Sequence, residues 1–200
     1  MFNELGQVIL YIQEYYSLVN ERWESKFGNK KVNFRHRTIK HVKDEPEIYK
    51  ELVMYREFLA VQTFDFDPEL TNEDVTITSR TKAYNSMYYK VEKNLRGNLK
   101  GNVPISKVLN DLFGIRIIFS EEVTFEKVKE YINDNFPNLK CINSTKNGYN
   151  GIHIYFQKDN YSHTWELQVW SKHNQKSNLE LHKLYKQDYL KWEKGIEGGV

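Results

Sequence analysis

Two carboxylates far apart in the sequence, Asp111 and Glu166, suit a phosphoryl-transfer site. Mg²⁺ takes one or two carboxylates and completes its octahedron with waters and phosphate oxygens. Asp111 stands at the mouth of an apolar run, Leu112-Phe113-Gly114-Ile115, which is followed by Arg116, a charge that needs a partner within a strand. In Thr164 to Trp170, alternation sends Leu167 and Val169 to one face and Glu166 and Gln168 to the other, so Glu166 faces a cleft or solvent. Lys82, Ser86 and Lys90 recur at four-residue intervals, so on a helix beginning at Lys82 they share a face and could hold a triphosphate. Arg80 lies just before them, and the guanidinium planes of Arg80 and Arg116 can grip an adenine ring. An Asn147-Gly148 turn presents Tyr149, and the strand after it points His153 and Tyr155 away from Ile152, Ile154 and Phe156.

Each feature has an ordinary alternative. A lysine row is commonly a solvated helix face, Asp111 a turn or capping residue, His153 a hydrogen-bonded structural histidine, and Tyr149 a cover for the core beside a turn. Their occurrence together, in one order along the chain, carries the reading.

The elements that must position these groups can be read from periodicity. Leu5, Val8, Ile9, Ile12, Tyr16, Val19 and Trp23 form the apolar stripe of an amphipathic helix. Pro46 opens a second helix through Leu59, and Asp65 to Leu70 reads as loop. Beyond it, strands and helices alternate: strand Val75–Ser79, helix Lys82–Lys93, a loop with Gly97, Gly101 and Pro104, strand Phe113–Phe119 and helix Phe125–Phe136. Strands at Lys140–Ser144, Gly151–Gln157 and Thr164–Trp170 follow, then a closing helix from about Gln175 to Trp192 with Leu181, Leu184, Tyr185 and Trp192 on one side. The expected organisation is a helical extension and connector over 1–70, a catalytic domain over 71–194 and a disordered tail over 195–200.

With 200 residues, 40% of them hydrophobic, the chain suffices for one compact core. One cysteine, Cys141, excludes an internal disulfide; no secretory signal pattern opens the chain, and no apolar run approaches the roughly 20 residues of a membrane span. A cytoplasmic protein is expected. A net charge of +2 does not by itself point to nucleic acid, but between Glu21 and Lys43 eight Lys or Arg residues face only Glu21 and Glu24. This basic patch reads either as a solvated, partly mobile connector or as an RNA-contacting surface in which Lys30, Lys31, Arg35 and Arg37 meet phosphates.

The order of motifs resembles the synthetase domain of the RelA/SpoT family over about Thr76 to Trp192. Ser79-Arg80-Thr81-Lys82 with Ser86 and Lys90 is similar to the family's ATP-binding segment, and Asp111 to Arg116 to its metal-binding aspartate and adenine-stacking arginine. Asn147-Gly148-Tyr149 with His153 resembles the acceptor-binding motif, and Glu166-Leu167-Gln168 the second catalytic strand. The resemblance implies an α+β fold, a mixed nucleotidyltransferase-like sheet flanked by helices and preceded by the N-terminal extension. It also implies pyrophosphate transfer from ATP to a 3′-hydroxyl with release of AMP, and Mg²⁺ on Asp111 and Glu166, with Glu166 helping to deprotonate the acceptor. Arg80, Lys82, Ser86, Lys90 and Arg116 would bind ATP; Tyr149, His153, Asn147 and Gln168 would bind the acceptor.

The strand of Glu166 continues Val169-Trp170-Ser171-Lys172 in place of the usual arginine-threonine pair, and Gly151-Ile152 replaces serine-leucine before His153. These departures resemble the toxic small alarmone synthetases, which modify the 3′-CCA end of tRNA, block aminoacylation and translation, and are neutralised by an antitoxin. Synthesis of guanosine tetra- or pentaphosphate from GDP or GTP is the alternative. A silent RNA-binding domain and a nucleotidyltransferase releasing pyrophosphate are the other classes.

Overall fold

The computed structural model describes residues 1–28, 32–62, 64, 71 and 73–197, without the side chains of 185–197. The loop expected at Asp65–Leu70, the cations Lys30 and Lys31, and the side chains of Tyr185 and Trp192 lie outside the described residues.

The apolar stripe at the start becomes α1 (Phe2–Phe27), with Leu5, Val8, Ile9, Ile12, Tyr16, Val19 and Trp23 all buried. At about 1.5–3 kcal/mol for each fully buried large side chain, such a stripe holds the helix to the domain. From Val32 onward the basic segment after it is packed on the domain and is not a solvated connector. Phe34, Ile39 and Val42 are buried among its cations, and it contains a short helix, α2 (Ile39–Asp44). Backbone bonds stitch it down: Phe34 N donates to the Asn160 carbonyl at 2.8 Å, Ser106 N to the Phe34 carbonyl at 3.0 Å and Ile105 N to the Arg37 carbonyl at 2.9 Å. Counting charges concealed those three apolar positions. The next helix, α3 (Pro46–Ala60), begins at its proline, where no intrahelical donor is lost.

The remaining elements are β1 (Val75–Thr81), α4 (Tyr84–Arg96), the single turn α5 (Ile105–Val108), β2 (Phe113–Phe119), α6 (Phe125–Asn135), β3 (Lys140–Asn143), β4 (Ile152–Phe156), β5 (Trp165–Ser171) and α7 (Lys172–Glu197). Two helix starts differ from expectation. The helix expected from Lys82 begins at Tyr84, because Lys82 N still donates to the Leu112 carbonyl beyond the end of β1. The closing helix follows β5 without a loop, and it runs on through Gly195 to Glu197, where a disordered tail was expected. A glycine within a helix costs only about 1 kcal/mol. Its Leu184 is exposed, not packed on the sheet.

The sheet is mixed, in the order β1-β2-β5-β4-β3, with β2 and β5 parallel and every other pair antiparallel. Alternation divides it. Ile115, Ile117, Ile152, Ile154, Leu167 and Val169 are buried on one face, in a core shared with α1, α3 and α6. Arg116, His153, Tyr155, Glu166, Gln168 and Trp170 occupy the other, toward α4 and α7. This is the expected α+β nucleotidyltransferase-like architecture.

The N-terminal helices are joined to the sheet around His163, which stacks on Tyr55 at 3.7 Å between centroids, packs against Phe34 and Trp23, and gives its carbonyl to the Tyr16 hydroxyl at 2.8 Å. Its Nε2 is buried without a hydrogen-bond partner, and Glu51 Oε1 lies 3.9 Å away. Burial pushes the imidazole down to about 3. The folded value lies below the ordinary one, so neutral His163 stabilises the fold fully above about pH 6.5, and that contribution is lost as pH falls toward 3. Between pH 6 and 4 the denaturant-derived stability of the native chain is expected to fall by about 1 kcal/mol per pH unit more than that of His163→Phe. Parallel pH dependences in the two proteins would remove His163 as the cause.

Candidate functional site

Asp111 lies in the turn between α5 and β2, next to the fully buried Leu112. Both its oxygens are taken by ammonium groups: Lys82 Nζ at 2.7 Å from Oδ2 and Lys90 Nζ at 3.1 Å from Oδ1. Lys82 extends from the end of β1 and Lys90 from the middle of α4, so the two cations converge from different elements and not along one helix face. Burial raises the Asp111 carboxyl, but the Lys90 and Lys82 charges outweigh it and hold the group well below the usual carboxylate range. Burial also lowers Lys82, against the attraction of Asp111.

Glu166 is 5% exposed yet lines the same cleft. Its Oε1 accepts from the Tyr155 hydroxyl at 3.1 Å and lies 2.9 Å from His153 Nδ1; its Oε2 accepts from Gln168 Nε2 at 2.8 Å. Burial raises this carboxyl, and the bond and charge from His153 bring it below its ordinary value, so it is ionised at neutral pH. On the other side of the imidazole, Nε2 lies 2.8 Å from the Tyr149 hydroxyl. Trp170 Nε1 in turn donates to that hydroxyl at 2.9 Å. A chain of hydrogen-bonded groups thus runs from Trp170 through Tyr149 and His153 to the carboxylate.

The hairpin carrying Tyr149 is closed by Asn147 and Gly148, both at positive φ (52° and 85°), as a two-residue type I′ turn requires. Lys146 and Tyr149 exchange both backbone bonds across it. Gly151 lets the ring lie close: a Cβ there would stand 2.7 Å from the Tyr149 hydroxyl and 3.0 Å from Trp170 Nε1. Asn178 of α7, fully buried, clamps the hairpin by accepting from Asn150 N at 2.9 Å and donating to its carbonyl at 2.7 Å.

Arg116 finds its partners on the neighbouring strand. Its Nε and Nη2 donate to Gln168 Oε1 at 3.2 and 3.0 Å, and its guanidinium lies 3.6 Å over the Trp170 ring. Burial and the nearby Arg80 lower it to about 10. Trp170 also stacks on His182, which burial and Arg116 push down to about 4 and so keep neutral. Arg80, Gly114, Arg116 and Gln168 line a small recess of about 60 Å³.

Nine of the residues singled out from sequence line one cleft of about 500 Å³: Arg80, Lys82, Ser86, Lys90, Asp111, Tyr149, His153, Glu166 and Gln168. Arg116 borders it through the smaller recess. Asn147 is exposed at the turn and does not line the cleft, its backbone being occupied with reversing the chain. Arg37 is paired with Glu45 at 2.9 Å, and Arg35 lines a different cleft. The cleft further includes Lys107, Asn110, Ser144, Tyr155, Leu181 and His182. Of these, Tyr155 was foreshadowed by strand alternation, whereas His182 and Leu181 needed the placement of α7.

Among the described residues no three His, Cys, Asp or Glu side chains form a metal cage. Two carboxylates kept ionised on one cleft, with cations for phosphate beside them, nevertheless fit Mg²⁺, which shares its coordination with substrate phosphates and water. No described helix is long and apolar enough to cross a membrane.

Curated proteins give no sequence match to the chain. Among solved structures, the small alarmone synthetase 1 from Bacillus subtilis bound to its product pppGpp is 17% identical, covering 79% of this chain and 85% of its own, with a TM-score of 0.39. The small alarmone synthetase 2 of the same organism is 18% identical over 74% of this chain and 77% of its own, with a TM-score of 0.36. A GTP pyrophosphokinase family protein from Streptococcus pneumoniae is 15% identical over 74% and 73%, at a TM-score of 0.39. A family model described as the region found in RelA / SpoT proteins matches residues 79–189, more than half of the chain and every residue that lines the cleft. The chain belongs to the RelA/SpoT family of pyrophosphokinases.

Proposed function

We propose that this pyrophosphokinase transfers the β,γ-pyrophosphate of ATP to the 3′-hydroxyl of the terminal adenosine of tRNA, so that the tRNA can no longer be aminoacylated. The observation that carries the transfer reading is the convergence of Lys82, Lys90 and Asp111 on one cleft with Glu166 and Tyr149. Lys82, Lys90, Ser86 and Arg80 bind the triphosphate, and the recess between Arg80 and Arg116 takes the adenine as its side chains part. Tyr149 stacks on the acceptor base. Glu166 takes the proton of the 3′-hydroxyl as that oxygen bonds to the β-phosphorus; the bond from the β-phosphorus to the bridging oxygen breaks, and AMP leaves with that oxygen. Asp111 and Glu166 would hold Mg²⁺, which when bound neutralises charge on the phosphates. Positioning and charge supply most of the acceleration.

The tRNA acceptor is favoured by Trp170, which occupies the place of the usual arginine-threonine pair and fixes the Tyr149 hydroxyl, and by the basic stretch from Phe34 to Arg37, which is bonded to the domain. In a cell such an activity halts translation and calls for a neutralising antitoxin. Incubation with γ-labelled ATP and, separately, deacylated tRNA, GDP and GTP tests the reading. Label on tRNA supports it; label on guanosine nucleotides alone makes the protein an alarmone synthetase; pyrophosphate in place of AMP as released product rules out this chemistry. Tyr149→Ala is expected to lower kcat/KM for the acceptor about 100-fold and Tyr149→Phe far less, since stacking on a base is worth about 1–3 kcal/mol. Similar losses in both variants would shift the role from the ring to the hydroxyl.

A further inference from the structure

Beside the first cleft lies a second of about 650 Å³, and the two share Lys107, Asn110 and Tyr155 as a common wall. Separate parts of the chain supply its cations: Arg35 from the segment before α2, Lys107 from α5, and Lys140 from the start of β3. Arg35 is held there by its neighbours, Phe34 being bonded through its backbone to Asn160 and to Ser106, while Arg35 N donates to Asn33 Oδ1 at 3.2 Å. Lys140 stands opposite Tyr155 in the β3–β4 register, on the face of the sheet that bears Glu166. Among the described residues no carboxylate lines this cleft. Thr164, 5% exposed, also lines it, and its hydroxyl oxygen is buried without a hydrogen-bond partner.

Three like charges around one hollow repel each other and attract an anion, and a concave wall focuses that field. Asn110, Gln157, Asn160 and the Tyr155 ring add neutral donors and an aromatic surface, the combination that binds single-stranded nucleic acid by phosphate contact and stacking without reading its sequence. An isolated nucleotide acceptor is accommodated by the first cleft and has no strand to place in the second. We infer that the second cleft binds the single-stranded RNA immediately 5′ of the accepting ribose, with Arg35, Lys107 and Lys140 on its phosphates. This rests on the tRNA reading and names the surface that lets a polynucleotide end, as against a free nucleotide, reach Glu166.

Arg35 and Lys140 are exposed and line only the second cleft, which makes Arg35→Gln/Lys140→Gln the informative variant. Binding of a labelled single-stranded RNA ending in CCA is followed across salt, and transfer of γ-label is followed to deacylated tRNA and to GDP. Losing two phosphate contacts should reduce the slope of log K against log salt by about 1.4 and lower transfer to tRNA about tenfold, more than transfer to GDP. Arg35→Lys/Lys140→Arg, which keeps both charges, should restore most of the RNA binding and so separates charge from misfolding. Unchanged RNA binding and tRNA transfer in the neutral variant, or equal loss on tRNA and GDP, overturns the cleft assignment alone. A native protein that labels GDP but never tRNA overturns the acceptor reading, and the cleft assignment with it.

Discussion

Glu166→Gln is expected to slow single-turnover pyrophosphate transfer by about 10²–10⁴-fold, the usual worth of a positioned general base. The substitution keeps the side-chain volume, yet the surroundings cannot accommodate it freely. Three donors, from Tyr155, His153 and Gln168, converge on the carboxylate, and an amide offers an acceptor to only one side. Gln168 cannot turn its own amide to compensate, because its oxygen accepts both Arg116 bonds. One donor–donor conflict remains, at about 1–3 kcal/mol of stability. A lowered folded pKa means that Glu166 stabilises the fold above the ordinary carboxylate value and that this contribution fades as pH falls through its depressed one. The rate of the native protein should follow the same ionisation, with no acid limb near neutrality. A variant rate within tenfold of the native one, in a protein shown to be folded, would take the base role away from Glu166.

The cleft was legible in the sequence to the extent that it lies on strands. Period-two alternation is rigid: once Ile152, Ile154, Leu167 and Val169 go to the core, His153, Tyr155, Glu166 and Gln168 must share the opposite face, and they do. The Asn147-Gly148 dipeptide likewise fixed its own turn through positive φ at both positions. Helical spacing was a poorer guide. Lys82, Ser86 and Lys90 have a helix-face period, but Lys82 lies between β1 and α4, and it meets Lys90 only because both reach Asp111. Contacts across long loops left still less trace. Nothing around Asn178 marks it as the clamp on the Tyr149 hairpin, and nothing in a run of cations announces that Phe34 anchors Arg35 beside Lys107 and Lys140. Those pairings depend on where α7 and the basic segment dock, which is set by tertiary packing of distant residues.

Asp111→Asn should abolish detectable transfer, by at least about 10³-fold, and it should damage the fold more than Glu166→Gln does. The carboxylate is the counter-charge for Lys82, whose side chain is 8% exposed, and for Lys90. Removing one partner of a buried pair leaves an uncompensated charge, at about 3–5 kcal/mol. Lys82, already lowered by burial against the attraction of Asp111, would be lowered further without it. A folded pKa below the unfolded one means that the unfolded chain binds more protons, so the stability of the variant should rise with pH between neutrality and about 10 as the buried amine sheds its charge. A double variant separates the two roles. Adding Lys82→Met to Asp111→Asn removes the stranded ammonium and should restore most of the lost stability, while transfer stays absent because the phosphate-binding cation and the carboxylate are both gone. Chemical denaturation of the two single variants and the double gives the coupling energy directly. Strictly additive stabilities would show that the Lys82–Asp111 contact contributes nothing to the fold; recovered transfer in the double variant would show that neither group is needed to hold the triphosphate.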